Sequence, residues 1–75
     1  MKQELPVLKP REVVAALERA GFVNRRQTGS HIVLYKEGLK RPITVPMHPK
    51  DLPVGTLRAI IRQANLTVGE FLGLL

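Results

Sequence analysis

The hydrophobic period of this chain changes twice, and that alternation restricts its possible folds more than any other feature. Apolar residues first recur at helical spacing, in Val13, Leu17 and Ala20. Over residues 31–36 the period is two, as in a strand with one buried face. The helical period then returns over residues 57–64. The pattern predicts an α+β domain with the order α-β-β-β-α and a short C-terminal helix.

Local signals set the ends of the first helix, which we predict at about residues 10–20. Pro10 suits the first turn, because an N–H at that position would have no helical partner in any case. Gly21 is typical of the left-handed residue that follows a helix, and Phe22 beside it can fold back on Leu17.

Two signals mark the junction between the second helix and the last one. Asn65 suits the left-handed position after the second helix. Thr67 and Glu70 have the spacing of a capping box, which predicts a last helix at about residues 68–75. This helix is expected to bury Phe71, Leu72 and Leu75.

Three strands are expected between the helices, at about residues 22–27, 31–36 and 43–45. Residues 28–30 and 37–40 have the composition of turns between them. Pro42 and Pro46 flank the third strand and mark it as a short or edge strand, because proline cannot donate to a central ladder.

A three-stranded sheet buries its apolar side against helices stacked on one face, and its other face stays open. Ile32 and Leu34 are expected to point toward the helices. The open face then carries His31, Val33 and Tyr35. Across the first hairpin, we expect Arg25 or Arg26 to lie opposite His31.

Length and composition exclude several classes of protein. The 75 residues form one domain, 1–75, in which residues 1–9 are an extended lead-in. The chain has no cysteine, and its two histidines and six acids show no metal-binding pattern, so we expect no metal and no cofactor. Its apolar runs are far shorter than the roughly 20 residues of a membrane span, and its N-terminus lacks the apolar core of a signal peptide. We therefore expect a cytosolic protein without membrane contact.

Charge is the first indication of function. The chain carries a net charge of +6, and residues 26–50 hold five basic residues against one acidic residue. The positive electrostatic field of such a protein favours a polyanion as its binding partner, and a nucleic acid is a better candidate than a membrane. Lys36, Lys40 and Arg41 in this region are either a solvated hairpin tip or contacts to phosphate.

The sequence lacks the motifs of common RNA-binding modules. The chain has no GxxG loop, and three aromatic residues are too few for a base-stacking sheet. Two classes remain, a reader of RNA shape and phosphate or a nuclease that uses few groups.

His31 is the strongest candidate for chemistry. A histidine can take the proton of a ribose 2′-OH at neutral pH without a metal, if cations nearby stabilise the phosphorane. His31 starts a strand on the open face in the most basic third of the chain, although an ordinary exposed histidine has the same signature. His48 is a weaker, accessory candidate in a proline-bounded loop, where it either serves the site or bonds a helix end.

Four segments follow one another in order: AGF at 20–22, RQTGSH at 26–31, TVPMH at 44–48 and GTLRAIIRQA at 55–64. With them the chain resembles the HicA family, the toxins of bacterial and archaeal type II toxin–antitoxin pairs. The resemblance covers roughly residues 10–75. The chain departs from the family pattern at three places. It has Lys9-Pro10 where Ser-Gly is common, Asn65 where Gly is common, and Gly69 where a charged residue is common.

The resemblance implies a double-stranded-RNA-binding-like fold, an mRNA endoribonuclease activity with His31 as its catalytic histidine, and a HicB antitoxin that covers the active face. Our leading hypothesis is therefore a metal-independent nuclease in which His31 is the acid/base and Ser30 orients the site. The residues assigned to RNA binding are Arg25, Arg26, Ser30, Lys36, Lys40 and Arg41.

Two other hypotheses stay open at this point. One is a non-catalytic RNA-binding module with the same fold. The other, a DNA-binding protein, is disfavoured because no helix-turn-helix pattern is present. For the leading hypothesis the expected partners are mRNA and a HicB-type antitoxin, and the free protein is expected to be a monomer.

Overall fold

The predicted order of elements is confirmed by a computed structural model, which describes residues 4–75. Its elements are α1 (Pro10–Arg19), β1 (Val23–Gln27), β2 (His31–Tyr35), β3 (Ile43–Pro46), α2 (Val54–Gln63) and α3 (Val68–Leu72). The three strands form one antiparallel sheet in the order β1-β2-β3, so β3 is an edge strand, as its flanking prolines predict.

The core lies between one face of the sheet and the helices. The sheet contributes four buried residues, Ile32, Leu34, Ile43 and Val45. The helices contribute most of the rest, including Val13, Leu17, Leu57, Ile60, Ile61 and Phe71. His31 is exposed, while Val33 and Tyr35 are half-buried, which confirms the predicted open face.

The first helix ends as its sequence predicts. Gly21 has a φ of +101°, in the region that a Cβ disfavours. The Phe22 N–H donates to the Leu17 carbonyl at 3.0 Å, so the chain folds back over the last turn. The helix itself stops at Arg19, with Ala20 as its C-cap.

The end of α2 follows the same rule. Asn65 has a φ of +61°, and the Leu66 N–H donates to the Ile61 carbonyl at 3.2 Å. The capping box is present as well: the Glu70 N–H donates to Thr67 Oγ1 at 3.0 Å, and the Thr67 N–H donates to Glu70 Oε1 at 2.8 Å.

The last helix is shorter than expected, and its burial differs. It ends at Leu72, which is half-buried, and Leu75 is 50% exposed rather than buried. The reason is a tighter turn after the helix, in which the Leu75 N–H bonds the Leu72 carbonyl three residues back. This turn leaves Leu74, not Leu75, packed against the core.

The lead-in contributes to the core. Leu8 is buried and forms an isolated antiparallel bridge with Leu52, whose N–H donates to the Leu8 carbonyl at 2.8 Å. The bridge ties the segment before α1 to the loop before α2. It therefore brings the start of α1 close to the loop that follows β3.

The β1–β2 register differs from expectation. The Thr28 N–H donates to the His31 carbonyl at 2.8 Å, so these two residues face each other across a two-residue turn. Arg26 pairs with Val33. The expectation that Arg25 or Arg26 lies across from His31 is therefore wrong, because the turn is too short to bring either arginine that far along the ladder.

A bulge in β1 decides where the two arginines point. The ladder shifts by one residue between Asn24 and Arg26, which leaves Arg25 as the extra residue. Arg26 shares the open face with its partner Val33. The Arg25 guanidinium lies 5.3 Å from the centre of the Tyr35 ring, on the same face. In a regular strand, adjacent residues would point to opposite faces.

Candidate active site

The backbone of His31 is fixed by one neighbouring side chain. Thr28 Oγ1 accepts the His31 N–H at 3.0 Å and donates to the His31 carbonyl oxygen at 3.3 Å. With the Thr28 N–H on the same carbonyl, both backbone groups of His31 are held. The composition of residues 28–30 predicts only a turn and gives no sign that Thr28 would hold both backbone groups of His31.

The imidazole of His31 is also held on one side. Ser30 Oγ lies 2.9 Å from His31 Nδ1. A hydroxyl can both donate and accept, so Ser30 is compatible with either neutral tautomer of the ring. The contact leaves Nε2 of an exposed histidine free to face a substrate.

The two histidines of the chain meet at this site. Their ring centroids are 6.1 Å apart, and their planes are inclined at 59°. The register explains the meeting, because His31 pairs with Pro46 and the Met47 N–H extends the ladder by donating to the Ser30 carbonyl at 2.7 Å. His48 lies two residues beyond Pro46 and is thus the diagonal neighbour of His31 on the same face.

The predicted phosphate-binding residues separate into groups. Arg25 and Arg26 share the open face with the histidines. Lys36 does not, because its ammonium lies 5.7 Å from the centre of the ring of Phe22, a core residue, and its side chain lies beside Gly21. A cation there also suits the negative C-terminal end of α1.

Two further predicted cations lie at the free edge of β3. Lys40 and Arg41 belong to the loop between β2 and β3 and line a groove between that loop and the end of α2. The other residues of this groove are Leu39, Pro42, Thr44 and Gln63. The structure thus places these two residues beside the sheet rather than next to the histidine pair.

A second groove, next to His48, was missed by sequence reasoning. Lys9 and Arg11 at the start of α1 line it together with Lys50, and the other lining residues are Pro10, Met47 and Pro49. Lys50 is about 40 residues from Lys9 and Arg11 in sequence, and it joins them through the bridge between the lead-in and the loop before α2. The only feature of the sequence that indicates this groove is the position of Lys50, two residues after His48.

Two structural findings concern other kinds of site. Among residues 4–75, no three His, Asp or Glu side chains gather as a metal-binding group. In the same part of the chain, no helix has the length and apolar character needed to cross a bilayer.

The helices on one face of the sheet and the histidine-bearing open face define a small protein of the double-stranded-RNA-binding-like α+β class. Residues 10–66 match the family described as "HicA toxin of bacterial toxin-antitoxin". The match covers more than half of the chain, and the protein belongs to this family, as its resemblance predicts. A search of curated proteins gives no significant match. Membership of the family makes the protein the toxin of a toxin–antitoxin pair, with an antitoxin as partner.

Proposed function

We propose that this toxin is a metal-independent mRNA endoribonuclease in which His31 is the acid/base. The observation that carries the proposal is the way His31 is held. Its backbone is clamped by Thr28 and its Nδ1 contacts Ser30, while the ring stays exposed on the open face. An ordinary exposed histidine without a function would not need these contacts with Thr28 and Ser30.

The chemistry requires one proton transfer at the start. His31 Nε2 takes the proton of a ribose 2′-OH, while Nδ1–H donates to Ser30 Oγ. The 2′ oxygen then attacks the adjacent phosphorus while the bond from phosphorus to the 5′ oxygen breaks, which yields a 2′,3′-cyclic phosphate and, after the 5′ oxygen takes up a proton, a 5′-OH end. Arg25 and Arg26, on the same face, supply positive charge for the phosphorane.

RNA would cross the open face between the two basic grooves. Lys40 and Arg41 line the groove at the β3 edge, and Lys50 lines the one beside His48. Lys36 is assigned a minor part, because its ammonium lies over Phe22. A substrate of this kind places the reaction in the cytoplasm.

The decisive experiment compares the wild type with His31→Ala. The variant should fold, since substitutions at exposed sites change stability by about 0.5 kcal/mol or less. Cleavage should fall by about 10²–10⁴-fold, the usual contribution of a general acid/base. EDTA should leave the wild-type rate unchanged, and a 2′-deoxy nucleotide at the cut site should block cleavage.

A matched control is Arg58→Ala, which alters an exposed residue of α2. It should leave cleavage unchanged. If the folded His31→Ala protein cuts RNA at the wild-type rate, the assignment of His31 is wrong. If the wild type binds RNA and never cuts it, the non-catalytic binding module is correct.

The antitoxin is proposed to be of the HicB type and to cover the open face. A partner of a protein with net charge +6 should present an acidic surface, which gives fast and salt-sensitive association. Co-expression with the adjacent reading frame should restore growth, and the two proteins should co-purify at low salt. Separate elution together with persistent toxicity would contradict this assignment.

A further inference from the structure

We propose that His48 is a second catalytic residue, the general acid that protonates the leaving 5′ oxygen of the RNA. The inference rests on the proposed ribonuclease function and assigns the second proton transfer of that reaction. It starts from the contact between two rings whose residues are 17 positions apart in the chain.

The separation of the rings suits an in-line displacement. Two-metal nucleases hold their ions about 3.5–4 Å apart to stabilise the attacking and leaving oxygens of such a reaction. The attacking and leaving oxygens lie on opposite sides of phosphorus, and two rings with centroids 6.1 Å apart can flank one phosphate and place one nitrogen near each of these oxygens. Both histidines are exposed, so a phosphate can reach both.

The sequence offered another interpretation of His48, a hydrogen bond to a helix end. Among residues 4–75 the His48 imidazole takes part in no hydrogen bond. Its backbone is nevertheless placed by the bond from Met47 to Ser30, which joins the segments that carry the two rings. The His48 ring thus lies close to the His31 ring and, among residues 4–75, makes no hydrogen bond to a helix end.

The two histidines complete a balanced reaction. His31 takes the 2′-OH proton as the bond from the 2′ oxygen to phosphorus forms. The bond from phosphorus to the 5′ oxygen breaks, and His48, starting as the imidazolium, gives its proton to that oxygen. The products are a 2′,3′-cyclic phosphate and a 5′-OH end, and exchange with water returns each ring to its starting state.

The test uses an RNA whose leaving 5′ oxygen is replaced by sulfur. A thiolate is a good leaving group without a proton, so this substrate does not need a general acid. On ordinary RNA, His48→Ala should lose about 10²–10⁴-fold in rate. On the sulfur substrate it should come within about tenfold of the wild type. His31→Ala should stay impaired on both, because the 2′-OH still needs a base.

Two controls separate catalysis from binding and folding. The affinity of His48→Ala for an uncleavable 2′-deoxy RNA should fall by no more than the loss of one positive charge predicts, far less than the loss in rate, and its thermal unfolding should be unchanged. Lys50→Ala, which removes a cation of the adjacent groove, should slow both substrates equally.

Each outcome has one meaning. If His48→Ala cuts ordinary RNA at the wild-type rate, or is impaired equally on both substrates, His48 is not the acid, while the proposed function stands. If the wild type cuts neither substrate, the proposed function fails, and this inference fails with it.

Discussion

At the scale of single residues, the clamp on His31 is the feature most open to test. Thr28→Val keeps the size and shape of the side chain and removes the hydroxyl that contacts both backbone groups of His31. We expect a loss of about 1 kcal/mol in the free energy of unfolding, the net contribution of a typical hydrogen bond. The cleavage rate should fall about tenfold because the His31 ring loses its fixed position. A misplacement of about 1 Å in a reacting group can lower a rate by up to about 10²-fold.

Thr28→Ser is the conservative partner of that substitution. It keeps the hydroxyl and should recover most of the rate, measured as single-turnover cleavage beside urea unfolding. A Thr28→Val protein with lower stability and an unchanged cleavage rate would show that the clamp serves the fold alone.

At the scale of elements, the C-terminus of α2 gives a prediction about stability. Asn65 has a positive φ. Most residues with a Cβ adopt this backbone conformation at a cost of roughly 1–2 kcal/mol, and asparagine adopts it at a lower cost. Asn65→Ala should therefore lower the free energy of unfolding by about 1 kcal/mol. Asn65→Gly should leave it unchanged or raise it slightly, because glycine adopts this conformation freely.

Chemical denaturation of the three proteins checks this pair of expectations. RNA cleavage by the two variants should equal that of the wild type, since Asn65 follows α2, away from the open face. Equal stability of the alanine and glycine variants would contradict the described helix end.

The bulge in β1 gives a prediction about binding. Arg25→Ala and Lys36→Ala each remove one positive charge, but only Arg25 lies on the open face. Arg25→Ala should weaken RNA binding and reduce the slope of log K against log salt by about one. Lys36→Ala should leave the slope nearly unchanged and lower stability slightly, because its ammonium faces Phe22 and the C-terminal end of α1.

Filter binding at several salt concentrations makes the comparison. The measurement needs an uncleavable 2′-deoxy substrate so that binding is separated from reaction. Equal losses of affinity for the two variants would mean that RNA senses net charge alone and does not follow the open face.

At the scale of the whole molecule, the net charge of +6 sets the salt response. About four phosphate contacts to single-stranded RNA predict a slope of log K against log salt near −3, since each contact releases condensed counterions. Filter binding of the wild type at several salt concentrations measures this slope. A flat response would remove the basis for assigning the cations to phosphate.

The amino-acid sequence by itself determined the order of the elements, the ends of α1 and α2 and the start of α3, but not the end of α3. Gly21 and Asn65 end their helices as predicted, and Thr67 and Glu70 form the expected capping box. These features depend on hydrogen bonds between residues three to five apart, so a short stretch of sequence contains both partners. The alternation in β2 likewise determined which of its side chains face the helices, because a strand has a period of two.

Tertiary structure alone decided which side chains meet. The two-residue turn and the bulge set the β1–β2 register, and a shift of one residue moves a side chain to the other face of a sheet. That register placed Arg25 and Arg26 together on the open face and kept both out of the position directly opposite His31. The meeting of His48 with His31 depends on the β2–β3 pairing, which joins distant segments. Such contacts arise from the packing of the whole chain, and no local pattern encodes them.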